Sequence, residues 1–451
     1  MCRTIINLYR RRLLPAIALA LLIVMRQERP ALAADDFERE PINYSTATPQ
    51  NVVSRLQKRI DAGQVPFEFD ERRGYLRSLL RALNVPESSQ MLVFSKTSFQ
   101  RQRIAPKTPR ALYYNDDVYV GYCSDGDLME ISAVDPQLGA VFYTLDQERV
   151  VKPRIARQND SCLLCHASSM TQGVPGFLVR SVFSDAAGFP LLASGTFRID
   201  HTSPLKNRWG GWYVTGTHGN QKHLGNLIVT DKRAPEEIDN SAGMNVTDLK
   251  GRFDGSKYLA GSSDIVALMV MEHQTMAHNL IIAASLQTRM ALAQEAALNR
   301  ELKQPAGYRW ESTTSRIKSV GEPLVKYLLF GEEAELTEPI QGTTSFASDF
   351  AARGPRDKRG RSLRDFDLKQ RLFKYPCSYL VYSPAFDALP AEVKGYVYKR
   401  MWDVLSGTDK SPDFARLTAA DRLAIVEILK ETKPGLSTYW KAAIPVVRSA
   451  R

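Results

Sequence analysis

The chain has 451 residues, of which 44% are hydrophobic and 24% are charged, and its formal net charge is +11. This composition excludes a disordered, collagen-like or repeat-rich chain. The length predicts two or three domains, or one large domain with insertions, so core size does not limit stability. Five cysteines are too few for a fold that is held together by disulfides.

The first 33 residues have the three parts of a secretory signal peptide. Arginines at positions 3 and 10–12 precede an apolar run at 13–25, and Ala31 and Ala33 form a cleavage site. A membrane anchor is the alternative, but the run is shorter than the roughly 20 residues that a spanning helix needs. We therefore expect cleavage after Ala33, export to the periplasm and no transmembrane span in the mature chain.

Much of the positive charge belongs to this segment. Residues 1–33 contain six arginines and one glutamate, so cleavage would lower the formal net charge from +11 to +6. A surface with that charge is common, and no nucleic-acid recognition motif accompanies it. We expect no nucleic acid partner, and the oligomeric state stays open.

The mature chain predicts an α+β fold with a β-rich segment and a helical C-terminal part. The predicted regions are a linker at 34–48, a helix pair with a β-rich part at 49–155, a cysteine-containing part with strands at 156–260, a long-helix part at 261–340, a basic loop at 341–366 and a helical part at 367–451. Within them, the patterns predict helices at 50–62, 70–83, 265–303, 390–405, 418–430 and 437–442, and strands at 111–122, 128–134, 140–145, 176–183, 191–199, 211–217 and 224–229.

Cys162, Cys165 and His166 form the pattern C-x-x-C-H, which is typical of covalent c-type haem attachment. Two thiols three positions apart on one helical turn can add to the two vinyl groups of a porphyrin, and the next residue then presents an imidazole to the iron. Three alternatives exist, namely a thioredoxin-like dithiol, a zinc site and a plain disulfide between the two cysteines. The first lacks a βαβ context, the second lacks another ligand pair, and the third does not use His166.

At this motif the sequence resembles the c-type cytochromes. The resemblance implies one haem c per chain, thioether bonds to Cys162 and Cys165, and His166 as the proximal iron ligand. A second, fainter similarity lies at residues 417–426, which look like the C-terminal helix of small cytochrome c domains. Together they imply a mainly α-helical cytochrome c-like haem region that an insertion of some 240 residues has split.

The ligand on the other face of the iron decides the function. A His or Met there indicates an electron carrier, whereas an open face permits peroxide, oxygen or small-ligand chemistry. Met170 follows His166 by four residues and is expected on the same helix, on the proximal side. His218 and His223 belong to a glycine-punctuated aromatic segment that could approach a flat cofactor closely, and His218 is the tentative distal ligand.

The predicted long helix offers further candidates. His273 and Met276 share one face of it, whereas His278 lies about 140° around the helix from His273. Glu272 and His273 could form a buried acid/base pair, or they could be hydrogen-bonded residues that join the helix to its neighbours. The candidates for the sixth position are His201, His218, His223, His273 and Met276, or no residue at all.

Two further features have open alternatives. Cys123 and Cys377 could be bridged in an oxidising compartment, but both lie in aromatic runs where a buried thiol is equally natural. Six basic residues could form a solvated surface or a docking site for an acidic redox partner. This basic cluster consists of Arg353, Arg356, Lys358, Arg359, Arg361 and Arg364.

The sequence therefore favours an exported mono-haem c-type protein that transfers electrons to or from a redox partner protein. One alternative is a haem-dependent oxidoreductase of the peroxidase or oxidase kind with an open iron face, in which His218, His273 or Glu272 acts as acid or base. Another is a haem-based ligand sensor without turnover. Neither the substrate nor the reduction potential can be read from the sequence.

Overall fold

The computed structural model describes residues 36–441. The predicted signal peptide lies outside the described residues, and so does the end of the helix predicted at 437–442. The described residues form nine α-helices and a seven-stranded antiparallel sheet, which confirms the α+β prediction. A cytochrome c-like region is not seen in this arrangement.

The elements are numbered here in chain order. The helices are α1 Val52–Asp61, α2 Leu76–Ala82, α3 Leu163–His166, α4 Ile265–Glu301, α5 Glu311–Leu328, α6 Phe346–Ala352, α7 Pro384–Asp387, α8 Ala391–Leu405 and α9 Ala419–Thr432. The strands are β1 Met91–Val93, β2 Arg110–Tyr114, β3 Val118–Cys123, β4 Leu128–Asp135, β5 Gly139–Asp146, β6 Ile155–Gln158, β7 Arg180–Val182, β8 Thr196–Arg198 and β9 Trp212–Tyr213.

The main sheet has the strand order β6-β5-β4-β3-β2-β1-β9, and β7 pairs with β8 separately. The strand predicted at 111–122 is in fact the hairpin β2–β3. Asn115 makes the turn, because its Oδ1 accepts hydrogen bonds from the backbone N–H groups of Asp117 and Val118 at 3.0 and 2.9 Å. Side-chain hydrogen bonds of this kind satisfy backbone groups that would otherwise bond to a neighbouring strand.

The same effect shortens the later strands. Only β7, β8 and β9 form where three longer strands are predicted, and residues 224–229 form none. The backbone N–H and C=O of Val214 instead bond to the side chain of Asn226, each at 2.9 Å. Here polar side chains provide the hydrogen-bond partners of the backbone groups. The alternation of apolar residues in the sequence does not reveal these bonds.

The predicted long helix is confirmed as α4, which runs through the centre of the molecule. Asp264 caps it by accepting from Val266 N and Ala267 N at 2.8 and 3.2 Å. Residues 265–286 are buried on every face, so this helix shows no polar stripe. No helix within residues 36–441 combines the length and the apolar character that crossing a membrane requires.

Residues 36–48 are not the predicted linker. Phe37, Ile42 and Tyr44 are buried in the main core, and the hydroxyl of Tyr44 donates to Ala140 O at 2.7 Å. That core extends without a break from Phe37 to Trp440, so α4 and the sheet share it with the C-terminal helices. Three apolar side chains are enough to attach the segment, although its overall composition is polar.

Helix α5 is absent from the predictions because Gly321 and Pro323 interrupt its apolar pattern. Gly321 permits close packing, since a Cβ there would lie 2.5 Å from a ring carbon of Tyr396 on α8. The predicted basic loop also differs, because it contains α6 between Phe346 and Ala352. In both places, packing between helices overrides local composition.

Intramolecular ion pairs neutralise most of the basic cluster. Arg361 lies 2.7 Å from Asp357 and 2.8 Å from Glu427, and Arg359 also contacts Glu427 at 2.9 Å. Arg364 is buried, pairs with Asp116 and lies over the ring of Tyr379 at 4.2 Å. Most of this cluster is therefore engaged in ion pairs within the fold.

Candidate functional site

The motif forms one isolated helical turn at the surface. Helix α3 begins after Cys162, and the backbone N–H of His166 donates to the carbonyl of Cys162 at 3.0 Å. Cys162 is half-buried and Cys165 is exposed. Both thiols and the imidazole therefore come from a single turn, with Cys165 beside solvent.

His166 has its two ring nitrogens in different environments. Its Nδ1 lies 3.0 Å from the backbone carbonyl of Gly176, an acceptor, so Nδ1 carries the hydrogen. Nε2 then has the lone pair, and no described residue forms a hydrogen bond with it. Burial lowers the pKa of His166 to about 4, which keeps the ring neutral near pH 7. A ring in this state can ligate a metal ion through Nε2.

The carbonyl of Gly176 is held in place by α4. The side chain of Asn279 accepts from Phe177 N and donates to Phe177 O, both at 2.7 Å. A Cβ on Gly176 would lie 2.4 Å from Asn279 Oδ1, so only glycine fits there. Asn279 therefore positions the loop that orients His166, although it is more than 110 residues away in the sequence.

Two of the alternative interpretations of the motif find no support. Cys162 and Cys165 are separate thiols, and burial raises the pKa of Cys162 to about 11. Within residues 36–441 no group of three or more His, Cys, Asp or Glu is placed to hold a metal ion, so these residues build no zinc site of the usual kind. Cys123 and Cys377 are likewise two separate buried thiols with no bridge between them.

Met170 is not on the same helix as His166. Helix α3 ends at His166, and Met170 lies in a following 3-10 turn, Ser169–Thr171. Ser168 starts this turn, since its backbone N–H donates to the Thr171 hydroxyl oxygen at 3.0 Å. The helix stops early because the chain must turn back to bring Gly176 to His166.

His218 and His223 are buried together, with ring centroids 4.7 Å apart. His218 Nε2 accepts the backbone N–H of Asn245 at 3.1 Å, and His223 Nδ1 accepts that of Gly225 at 3.0 Å. A nitrogen that accepts is unprotonated, so the other nitrogen of each neutral ring carries the hydrogen. Neither ring then has a free lone pair for iron, and this argues against His218 as the distal ligand.

We expect His218→Ala to leave the haem spectrum unchanged and to lower the free energy of unfolding by about 1–3 kcal/mol, because it leaves the Asn245 N–H without its partner. Urea unfolding and the optical spectrum of the same preparation measure the two effects. A change of spin state in this variant would identify His218 as an iron ligand after all.

Glu272 and His273 are both buried, but they do not form a pair. Glu272 is paired with Arg208 and accepts from Trp209 Nε1 at 3.1 Å. Burial raises the pKa of Glu272, and the guanidinium of Arg208 opposes that rise. Arg208 also donates to the carbonyls of Ser203 at 2.8 Å and His201 at 3.1 Å, so this ion pair holds the loop after β8.

His273 faces His201 instead. The Nδ1 atoms of the two rings are 2.7 Å apart, and His273 Nε2 lies 2.9 Å from Ser378 Oγ. The ring of His201 stacks on Tyr327 at 4.0 Å and on Phe330 at 4.5 Å. Burial, together with the neighbouring His273, lowers the pKa of His201 well below its ordinary value. His273 thus has both nitrogens engaged, whereas His201 Nε2 is buried and has no partner among residues 36–441.

His278 points to the sheet, on a different side of α4 from His273 as predicted. Its Nδ1 lies 3.1 Å from the hydroxyl of Tyr119, which also accepts from Gln274 Nε2 at 2.8 Å. This histidine therefore joins α4 to β3 and belongs to the core.

The sequence did not predict the contacts of four residues in this region, namely Arg208, Ser378, Tyr327 and Asn279. Only Asn279 had a local signal, because it is a polar residue in an apolar stretch of helix. Comparisons of the chain with protein-family models, with curated proteins and with solved structures found no match. The interpretation of the site therefore depends on its own geometry.

Proposed function

We propose that this chain is an exported c-type haem protein that transfers electrons in the periplasm. In this proposal Cys162 and Cys165 bind one haem c covalently, and His166 ligates its iron on the proximal side. When bound, the haem supplies an iron that cycles between two oxidation states. The supporting observation is the hydrogen bond from His166 Nδ1 to Gly176, which leaves Nε2 available beside the two thiols.

The donor set fits this group chemically. The two thiols are three positions apart on one turn, with the half-buried Cys162 on the protein side and Cys165 in solvent. A metal-ligating histidine usually donates the hydrogen of its other ring nitrogen to an acceptor such as a carbonyl. This bond fixes the tautomer and the ring orientation. The ring of Phe142 packs against His166 at 4.8 Å and further restricts it.

Exposed apolar side chains around the motif also support a bound flat cofactor. Leu164 is 84% exposed, and Leu192 and Phe197 are 60% and 38% exposed. The segment that holds the latter two contacts the chain just after the motif, since Arg198 donates to Met170 O at 3.3 Å. A porphyrin covering these side chains would remove apolar surface from water.

A haem-dependent oxidoreductase with an open iron face is the second candidate. A ligand sensor would need the same open iron face. The observation in favour is the scarcity of available sixth ligands. His218 and His223 have no free lone pair in their neutral tautomers, and His273 has both nitrogens engaged. Of the predicted candidates, this leaves Met276 and, in the tautomer with its hydrogen on Nδ1, His201; both line one cavity beside α4.

Optical spectra of the purified, secreted protein test the proposal. Alkaline pyridine treatment is expected to show one covalent haem per chain. For an electron carrier, we expect a six-coordinate low-spin iron whose ferrous spectrum does not change with carbon monoxide. A high-spin iron that binds carbon monoxide would favour the oxidoreductase or the sensor, and a protein without covalent haem would contradict all three.

A further inference from the structure

A cavity of about 210 Å³ lies between the loop after β8, helix α4 and helix α5. Arg198, His201 and Gln172 contribute polar groups to its lining, and Met276 and Leu280 contribute apolar ones. A water molecule takes about 30 Å³, so the cavity has room for a ligand of roughly seven to ten non-hydrogen atoms.

The hydrogen bonds behind this cavity determine what His201 presents to it. The Ser378 oxygen accepts from Leu380 N at 3.3 Å, and its hydroxyl hydrogen has one acceptor among the described residues, His273 Nε2. If Ser378 donates there, His273 carries its hydrogen on Nδ1 and donates it to His201 Nδ1. The neutral His201 ring then has its own hydrogen on Nε2.

The opposite orientation would leave two buried groups unpaired, the Ser378 hydroxyl hydrogen and the His201 Nε2 lone pair, whereas the first leaves only the His201 Nε2–H. An unsatisfied buried donor costs about 1–3 kcal/mol, so the first orientation is preferred. His201 is 2% exposed, and its Nε2 has no partner in the described part of the chain. It therefore presents a buried, unused N–H donor at the cavity.

The charged groups around the cavity are unequally engaged. Lys326 is paired with Glu332 at 2.7 Å and with Asp413 at 3.2 Å. Asp200 accepts from the backbone and the hydroxyl of Thr202 at 2.8 and 2.6 Å. Arg198 has no acidic partner within residues 36–441, and its one hydrogen bond is to Met170 O. The cavity therefore offers one cation without an ion pair and one neutral donor, while the carboxylates of Asp200 and Glu332 also belong to its lining.

We propose that this cavity binds a small carboxylate with a short apolar body. The carboxylate would accept from the Arg198 guanidinium and from His201 Nε2–H, while the apolar body would lie against Met276 and Leu280. Charge-assisted hydrogen bonds of this kind are about twice as strong as neutral ones. None of its groups belongs to the motif, and with its hydrogen on Nε2 His201 has no free lone pair for an iron.

Isothermal titration calorimetry on the full secreted protein, with its haem, tests the proposal. Benzoate and butanoate are the probes, and benzamide is the neutral match for benzoate. We expect benzoate to bind at least about tenfold more tightly than benzamide. Arg198→Met and His201→Phe are each expected to weaken benzoate binding about tenfold or more, since each removes one donor. Phenylalanine preserves the stack on Tyr327 and Phe330.

Arg101→Met is the matched control, because Arg101 is exposed and lies far from this cavity in the sequence. It should leave benzoate affinity unchanged. The proposal would be overturned if benzamide bound as tightly as benzoate, or if neither carboxylate bound. It would also be overturned if Arg101→Met weakened benzoate binding as much as Arg198→Met does. A shift of the haem spectrum on adding benzoate would place the carboxylate on the iron and would also overturn it. Haem content is measured separately, so failure here is distinct from failure of the proposed function.

Discussion

Secreted protein that carries both Cys162→Ser and Cys165→Ser is expected to contain less than about a tenth of the covalent haem of the unaltered protein. Serine hydroxyls do not add to the vinyl groups, so both thioether bonds are lost. The motif is a single short turn at the edge of the core, and we expect the far-ultraviolet circular dichroism to change little. Pyridine haemochrome spectra after acid-acetone extraction measure the covalent haem.

Cys123→Ala is the matched control for this result. It removes a thiol that is buried in β3 and separate from the motif, and it should preserve one haem per chain. Undiminished covalent haem in the double serine variant would show that attachment does not involve this motif. The central proposal would then be wrong, whatever the spectrum of the unaltered protein.

Arg208→Met is expected to lower the free energy of unfolding by about 3–5 kcal/mol at neutral pH, which is the largest stability effect we predict. Arg208 and Glu272 are 3% and 0% exposed, so the substitution leaves a carboxylate buried beside Trp209 without its cation. The carbonyls of Ser203 and His201 also lose a donor. Urea unfolding followed by circular dichroism measures the change.

The loss should also depend on pH. The folded-state pKa of Glu272 is raised above its unfolded value by burial, and removal of Arg208 takes away the cation that opposes this rise. A group with a raised folded pKa favours the folded state at low pH and loses that contribution as the pH rises through the folded pKa. The loss of unfolding free energy that Arg208→Met causes should therefore be smaller at about pH 5 than at about pH 8.

Arg103→Met provides a matched control, because it breaks the exposed pair between Arg103 and Asp127, whose side chains are 45% and 80% exposed. We expect it to change the free energy of unfolding by less than about 1 kcal/mol. If Arg208→Met does not fold, the double variant Arg208→Met with Glu272→Leu should recover part of the stability, since no charge stays buried. If Arg208→Met and Arg103→Met lowered the free energy of unfolding by similarly small amounts, the proposed contribution of the buried ion pair to stability would be contradicted.

Hydrophobic periodicity predicted the elements with long uninterrupted patterns. The long central helix and the strands near 128–134 and 140–145 are present as α4, β4 and β5. The predictions failed where side chains bond to the backbone, as Asn115 and Asn226 do, or where glycine and proline lie inside a packed helix, as in α5. Such features depend on partners that are distant in the sequence.

The candidate site divides in a similar way. Cys162, Cys165 and His166 could be recognised from spacing, because the chemistry that we propose for them requires neighbouring residues on one turn. The interpretation of the other histidines changed once their partners were known. Both rings carry their hydrogen on Nδ1, but a backbone N–H occupies the Nε2 lone pair of His218, whereas that of His166 has no partner among the described residues. No local pattern in the sequence distinguishes the two cases.

The sequence by itself thus determined the composition class, the α+β architecture in outline and a C-x-x-C-H motif, which are all properties of residues close together along the chain. Tertiary structure alone decided that Asn279 positions the loop beside His166, that Arg208 pairs with Glu272, and that His201 meets His273. The physical reason is that burial makes an unpaired polar atom costly, so most buried polar atoms find partners, and the fold supplies these partners from residues that are far apart in the sequence.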